Sequence, residues 1–163
     1  MNDTQLLQYT SAHNKQVELI DLLRKQNNEL KENMDNSCTG TASELQVCAW
    51  LMRMGYEAYI TMGNRKHVDI RVVRGDRTCT IDVKAVRGYS SWIINNVTAL
   101  PAHFIVFLCY DDRFDDVTHQ PDVYVVPSGD VERVQSVYGT QRRITKNNIK
   151  SYKNAWNLLL DIT

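Results

Sequence analysis

Apolar and polar residues alternate twice through the middle of the chain. Val68, Ile70 and Val72 point one way in 67–74, and Cys79, Ile81 and Val83 do the same in 78–84. A period of two marks half-buried strands. Between them, Gly75-Asp76 suits a two-residue turn, because glycine takes the positive φ that a type II′ turn needs at its first central position. The pattern therefore predicts a hairpin in which Arg74 faces Arg77. Counting outward brings Asp69 opposite Asp82 and His67 opposite Lys84, and the period of two puts Asp82 and Lys84 on one face.

The rest of the chain supplies elements around this hairpin. Residues 4–34 contain helix formers and neither Pro nor Gly, and Asp35-Asn36-Ser37 with Gly40 signal a break. Within that first helix Leu6, His13, Ile20, Asn27 and Met34 recur at heptad spacing, with Tyr9, Gln16, Leu23 and Leu30 in the companion positions. Such a seam, with Asn27 at an a position, suits a paired coiled coil and hence a homodimer; the polar His13 and Gln16 equally suit a helix packed on its own domain. A second helix is expected over about 41–54, with Val47, Leu51 and Met54 inward and Gly55 as its stop. A first strand over 56–62 precedes the hairpin. Residues 87–100 read as a short helix or a loop, and an aromatic pair there, Tyr89 and Trp92, reads as a base-stacking pair or, more commonly, a lid on the core. The apolar run 103–110 has the length of a central strand covered on both faces. Another strand is expected at 122–126, ended by Pro127; Ser128 is placed to cap a helix to about Tyr138, and Thr145 a last helix with Ile149, Tyr152, Trp156 and Leu159 as its buried stripe. Together these give an α/β domain, a mixed sheet flanked by helices, with a helical arm at 1–36 and the main domain at 37–163.

Opposed carboxylates make the hairpin chemically unusual. Directly facing cross-strand side chains have Cβ atoms about 5 Å apart, and at an effective dielectric of about 20 two like charges there repel by roughly 3 kcal/mol. Lys84 is one partner for Asp69 and Asp82; a hard divalent cation, Mg²⁺ or Mn²⁺, which takes one or two carboxylates and keeps several waters, offsets the repulsion better. An incidental meeting of charges on a solvated hairpin is the bland alternative.

Asp69 followed at a short interval by Asp82-Val83-Lys84 resembles the signature of the PD-(D/E)XK nuclease superfamily, and Glu44, on the helix before the first strand, stands where that family often places a further acid. The resemblance spans roughly residues 40–86, and Val68 replaces the Pro that commonly precedes the first Asp. It implies a restriction-endonuclease-like fold and a metal held by Asp69, Asp82, the backbone carbonyl of Val83 and Glu44, with Lys84 completing the catalytic set. Thr41-Ala42-Ser43-Glu44 also fits a capping box, which would spend Glu44 on a helix N-terminus instead.

Composition changes this picture only in part. With 163 residues, 43% hydrophobic and 23% charged, the chain suits one ordinary domain with a sizeable core. No apolar run approaches the roughly 18 residues of a membrane span, and the polar N-terminus lacks signal-peptide regions, so a cytoplasmic location is expected. Cys38, Cys48, Cys79 and Cys109 are too dispersed for a zinc site and read as reduced thiols, three of them in core elements. A net charge of zero argues against a nucleic-acid binder. Local charge argues for one: Arg65, Lys66, Arg71, Arg74, Arg77 and Arg87 surround the hairpin, and Arg142, Arg143, Lys146, Lys150 and Lys153 form a run without acids, while Asp111, Asp112, Asp115 and Asp116 gather elsewhere. Of these, Arg65, Lys66, Arg87, Arg142, Arg143, Lys146 and Lys150 are the candidate DNA contacts.

The expected activity is metal-dependent endonucleolytic hydrolysis of DNA phosphodiesters. Two other classes remain: a nuclease-fold protein that binds nucleic acid without cutting, and an assembly protein whose hairpin charges are incidental.

Overall fold

The structure, a computed structural model, describes residues 3–61, 68–88 and 91–159, and the side chains among them other than those of 3–14, 27 and 31–35. The chain divides into two compact units, Met1–Cys38 and Thr39–Thr163, each described by itself.

Helix α1 is Asp3–Arg53. The break expected at 35–40 is absent: isolated Gly or Ser costs a helix about 1 kcal/mol or less without stopping it. In the first unit Ile20, Leu23 and Leu30 of the heptad seam are exposed, as are Val17, Leu19 and Leu22. The remaining seam residues except Gln16, which is exposed, lie outside the described side chains. At its far end the helix stops as expected. Gly55 takes φ +86, the Tyr56 N–H reaches the Leu51 carbonyl at 3.1 Å, and the Gly55 N–H reaches the Met52 carbonyl at 3.0 Å, the paired bonds of a Schellman ending.

In the second unit β1 (Glu57–Ile60), β2 (Ile70–Arg74), β3 (Arg77–Val86), β5 (His103–Cys109) and β6 (Asp122–Pro127) form a sheet in the order β1-β2-β3-β5-β6. Only β3 and β5 run parallel. Arg74 pairs with Arg77, so the hairpin has the predicted register. The connection between the parallel strands contains no helix among its described residues; it carries the two-residue β4 (Trp92–Ile93), which joins β7 (Ser136–Tyr138) and β8 (Gln141–Ile144) in a second sheet, order β4-β8-β7.

Two cores sandwich the large sheet. Val47, Cys48 and Leu51 of α1 pack with Ile70, Val72, Cys79, Ile81, Val83, Val106 and Leu108 on one face. On the other, Trp92, Ile94, Ile144 and Ile149 pack with Ile105, Phe107, Cys109 and Val126. Every residue of β5 is buried, which explains its unbroken apolar run. Cys48, Cys79 and Cys109 are buried free thiols and Cys38 is exposed.

Three further expectations fail. Met54 is 41% exposed, because the helix has ended before it can turn inward. Ser128 caps nothing; its hydroxyl bridges the Leu100 N–H and C=O at 3.0 and 2.9 Å, α2 is only Val131–Val134, and 136–138 is strand. The last helix is replaced by turns, including one at Lys150–Tyr152 and one at Trp156–Leu159. Ile149 and Tyr152 serve one core and Trp156 and Leu159 the other, so a single helical stripe could not reach both.

Candidate functional site

The hairpin delivers its acids by leaving the ladder one residue early. Pairing ends at Ile70 with Ile81, and the Asp69 N–H bonds back to the Ile81 carbonyl at 2.9 Å. The Asp69 side chain then takes the place of a strand: its Oδ2 accepts the Val83 N–H at 2.7 Å. In an extended strand the N–H and C=O of one residue point to the same edge, so the Val83 carbonyl faces the side on which Asp69 lies.

Asp82 and Lys84 project from the other face of β3 to Ile81 and Val83. Lys84 Nζ donates to Asp82 Oδ1 at 2.6 Å. Asp82 is 1% exposed, and its Oδ2 is buried with no hydrogen-bond partner among the described residues. Burying a carboxylate oxygen without a donor is costly, and Asp69, when protonated, is a side-chain hydrogen-bond partner for Asp82.

Electrostatics tie four residues together. Burial pushes the Asp69 carboxyl up to about 7; the Val83 N–H opposes the shift, and the Asp82 charge, a side-chain hydrogen bond to Asp82 and the Glu44 charge add to it. Burial likewise raises Glu44, with Asp82 raising it further and Lys84 lowering it. Thr41 is no N-cap, since 39 and 40 are already helical, so the capping-box use of Glu44 is not realised.

The donors suit a hard divalent cation: clustered carboxylates, an orphaned oxygen on Asp82 and a carbonyl on the same edge. No three acid, His or Cys side chains form a ready-made cation cage among the described residues. Mg²⁺ needs no such cage, because it takes one or two carboxylates and keeps much of its water.

The basic residues scatter. Arg65, Lys66 and His67 lie outside the described residues. Arg87 donates from Nε to Thr39 Oγ1 at 2.7 Å, its guanidinium 4.4 Å from the centre of the Phe114 ring. Lys146 binds Asp111 and also Asp122, the latter at 2.9 Å, and Lys153 binds Asp122 at 2.7 Å. The expected separation of basic and acidic faces is therefore corrected here: these lysines neutralise acids instead of forming a bare patch. Lys150 and Arg142 are exposed, and Arg143 is held by Gln141 and Ser91. Trp92 is 1% exposed and donates from Nε1 to the Leu108 carbonyl at 3.0 Å, a core role; Tyr89 lies outside the described residues.

Sequence reasoning missed the floor beside the acids. Tyr59, Arg71 and Thr80 are register partners across β1, β2 and β3 and so share the face of Asp82. Thr80 Oγ1 meets Nδ1 of the buried His103 at 2.8 Å. Had the pairing of β1 been known, the period of two would have found this row.

No protein-family model matches the chain, and no curated protein matches it. Among solved structures it is similar to a bacterial homing endonuclease, I-Ssp6803I, with a TM-score of 0.50 and 15% identity over 76% of this chain and 91% of that one. The fold is restriction-endonuclease-like. A Holliday junction resolvase from Archaeoglobus fulgidus, Hjc, is also similar, with a TM-score of 0.47 and 14% identity over 69% of this chain and 88% of that one. On this restriction-endonuclease-like sheet, Asp82 and Lys84 stand on the central β3 and Asp69 just before β2.

Proposed function

We propose that the protein is a metal-dependent endonuclease that hydrolyses DNA phosphodiester bonds. The observation that carries this reading is the buried Asp82 carboxylate, bonded to Lys84 through Oδ1, with no hydrogen-bond partner for Oδ2 among the described residues, and electrostatically tied to Asp69 and Glu44. The similarity to a bacterial homing endonuclease in fold supports it.

Asp69, Asp82 and the Val83 carbonyl would hold Mg²⁺ or Mn²⁺, and Glu44, which feels the Asp82 and Lys84 charges, would add to the negative field around it. Such an ion supplies Lewis acidity toward a phosphate and lowers the pKa of a bound water. Lys84 sets the charge balance: it neutralises Asp82 now, and its ammonium can turn to a phosphate oxygen or a water once a cation takes that role. In the metal-free protein burial raises both Glu44 and Asp69, so taking up the ion would displace a proton from Asp69. Arg87 is the described candidate nearest in sequence for a phosphate contact, and Lys150 and Arg142 are exposed further ones.

Cleavage of supercoiled plasmid with Mg²⁺, Mn²⁺ or EDTA tests this. Nicking with either metal and none in EDTA is expected; equal nicking in EDTA, or none with any metal on plasmid, single-stranded and branched DNA, refutes it. A non-cleaving DNA binder is the second reading, favoured by the bonds already engaging Asp69 with Val83 and Asp82 with Lys84.

We also propose that 1–36 is an arm pairing with a second copy through Ile20, Leu23 and Leu30, exposed at 47%, 50% and 62%. Sedimentation of the chain with and without 1–36 tests it; an unchanged mass ratio to the monomer excludes the arm.

A further inference from the structure

The β7–β8 ribbon has a face that the fold leaves uncovered. Directly opposed residues share a face, so Ile93, Arg143 and Ser136 form one row across β4, β8 and β7, and Gln141 and Tyr138 form the next. The opposite face is anchored at one end, where Trp92 and Ile144 are buried in the core, while Val137 and Arg142 at the other end are exposed. Ile94 donates to the Arg142 carbonyl at 3.0 Å and the Arg142 N–H donates to Asn95 Oδ1 at 2.7 Å, which staples the ribbon to the connection before it. On this face Ile93 is 52% and Tyr138 65% exposed, while Arg143 and Ser136 are half-buried. Residues 135–145 contain no acid.

Arg143 is held on this face by its neighbours. Its Nε and Nη2 donate to Gln141 Oε1 at 3.1 and 2.8 Å, and its Nη1 to Ser91 Oγ at 3.1 Å. Each Nη carries a second N–H that these contacts do not use. The side chain is thus an oriented donor with N–H groups left over, and arginine is the residue that most often reads guanine O6 and N7.

Position relates the ribbon to the acids. Asp82 and Lys84 are register partners of Ile105 and Phe107, which belong to the core under Trp92 and Ile144. The ribbon therefore stands on the side of the large sheet from which Asp82 and Lys84 project.

We propose that the β7–β8 ribbon reads duplex DNA in the major groove, with Arg143 donating to a guanine edge and Tyr138 at the ribbon tip. This rests on the nuclease reading for the choice of DNA. A two-stranded ribbon fits the groove of B-form DNA and not the deep, narrow major groove of A-form RNA. Single strands are held on rows of exposed aromatics, and this face carries one, Tyr138.

The test is anisotropy of labelled duplex DNA, single-stranded DNA and duplex RNA with the full chain in EDTA, for wild type, Arg143→Gln, Arg143→Lys and Tyr138→Ala, each checked by thermal melting. Duplex DNA binds best, Arg143→Gln weakens it by about tenfold or more, and Arg143→Lys keeps the charge but loses preference for guanine-containing sites. If Arg143→Gln does not fold, Tyr138→Ala reads the same surface and also weakens binding. Wild-type affinity in the folded variants, no duplex binding by wild type, or preference for single strands or RNA overturns the proposal. Metal-dependent cleavage with unaltered Arg143→Gln binding removes the ribbon and leaves the nuclease; ribbon-dependent binding without cleavage does the reverse.

Discussion

Replacing Asp69 with Asn should stabilise the metal-free protein at neutral pH and not at acid pH. In the folded chain burial and the neighbouring acids move this carboxyl from 3.8 to about 7. Between those values the native state holds a proton that the unfolded state has released, so stability falls as pH rises through the interval and levels off above about 7. At about 1.4 kcal/mol per pH unit the whole effect has a ceiling of about 4 kcal/mol, which solvent at this partly buried group screens to about half. Asn keeps an oxygen for the Val83 N–H and loses the charge. Urea unfolding in EDTA should therefore show Asp69→Asn about 2 kcal/mol more stable than wild type at pH 8 and nearly equal at pH 4. A gap of the same size at both pH values, or a less stable variant at pH 8, refutes the reasoning. The variant is also expected to lose cleavage and the stabilisation that Mg²⁺ gives wild type, since a ligand stabilises only the state that binds it.

Further predictions concern the frame. Leu51→Ala, at a residue with 0% exposure, should cost about 2–5 kcal/mol in denaturant unfolding. Gly55→Ala places a side chain at φ +86 and should cost roughly 1 kcal/mol by the same assay. Lys146→Ala leaves Asp111 and Asp122 short of a donor and should cost about 1–3 kcal/mol at pH 7. Asp122 lies below its ordinary 3.8, chiefly through Lys153 and Lys146 acting against burial. Its contribution is present above that value and lost as pH falls through the lower folded one, so the Lys146→Ala gap should narrow in acid unfolding.

How much of this was legible in the sequence depended on the range of the contacts involved. The hairpin register is local: Gly75-Asp76 fixes Arg74 against Arg77, and every later pair follows by counting. The count breaks only at Asp69, where a side chain replaces the backbone as acceptor for Val83. His103–Cys109 was legible because a strand buried on both faces has no polar positions to hide it. Residues 128–159 were not, because their apolar spacing mimics a helix while their partners lie in two cores. Extended backbone at Lys153 and a positive φ at Asn154 break the chain between them. The basic run misled for the same reason. Lys146 looks free in sequence, and its acids are 35 and 24 residues away.

The most direct test of the central claim is single-turnover cleavage of plasmid by Lys84→Ala beside wild type, in Mg²⁺ and in Mn²⁺, with matched circular dichroism. The account predicts a folded variant whose cleavage rate falls by about a hundredfold or more. Wild-type rates in the folded variant would place the chemistry elsewhere.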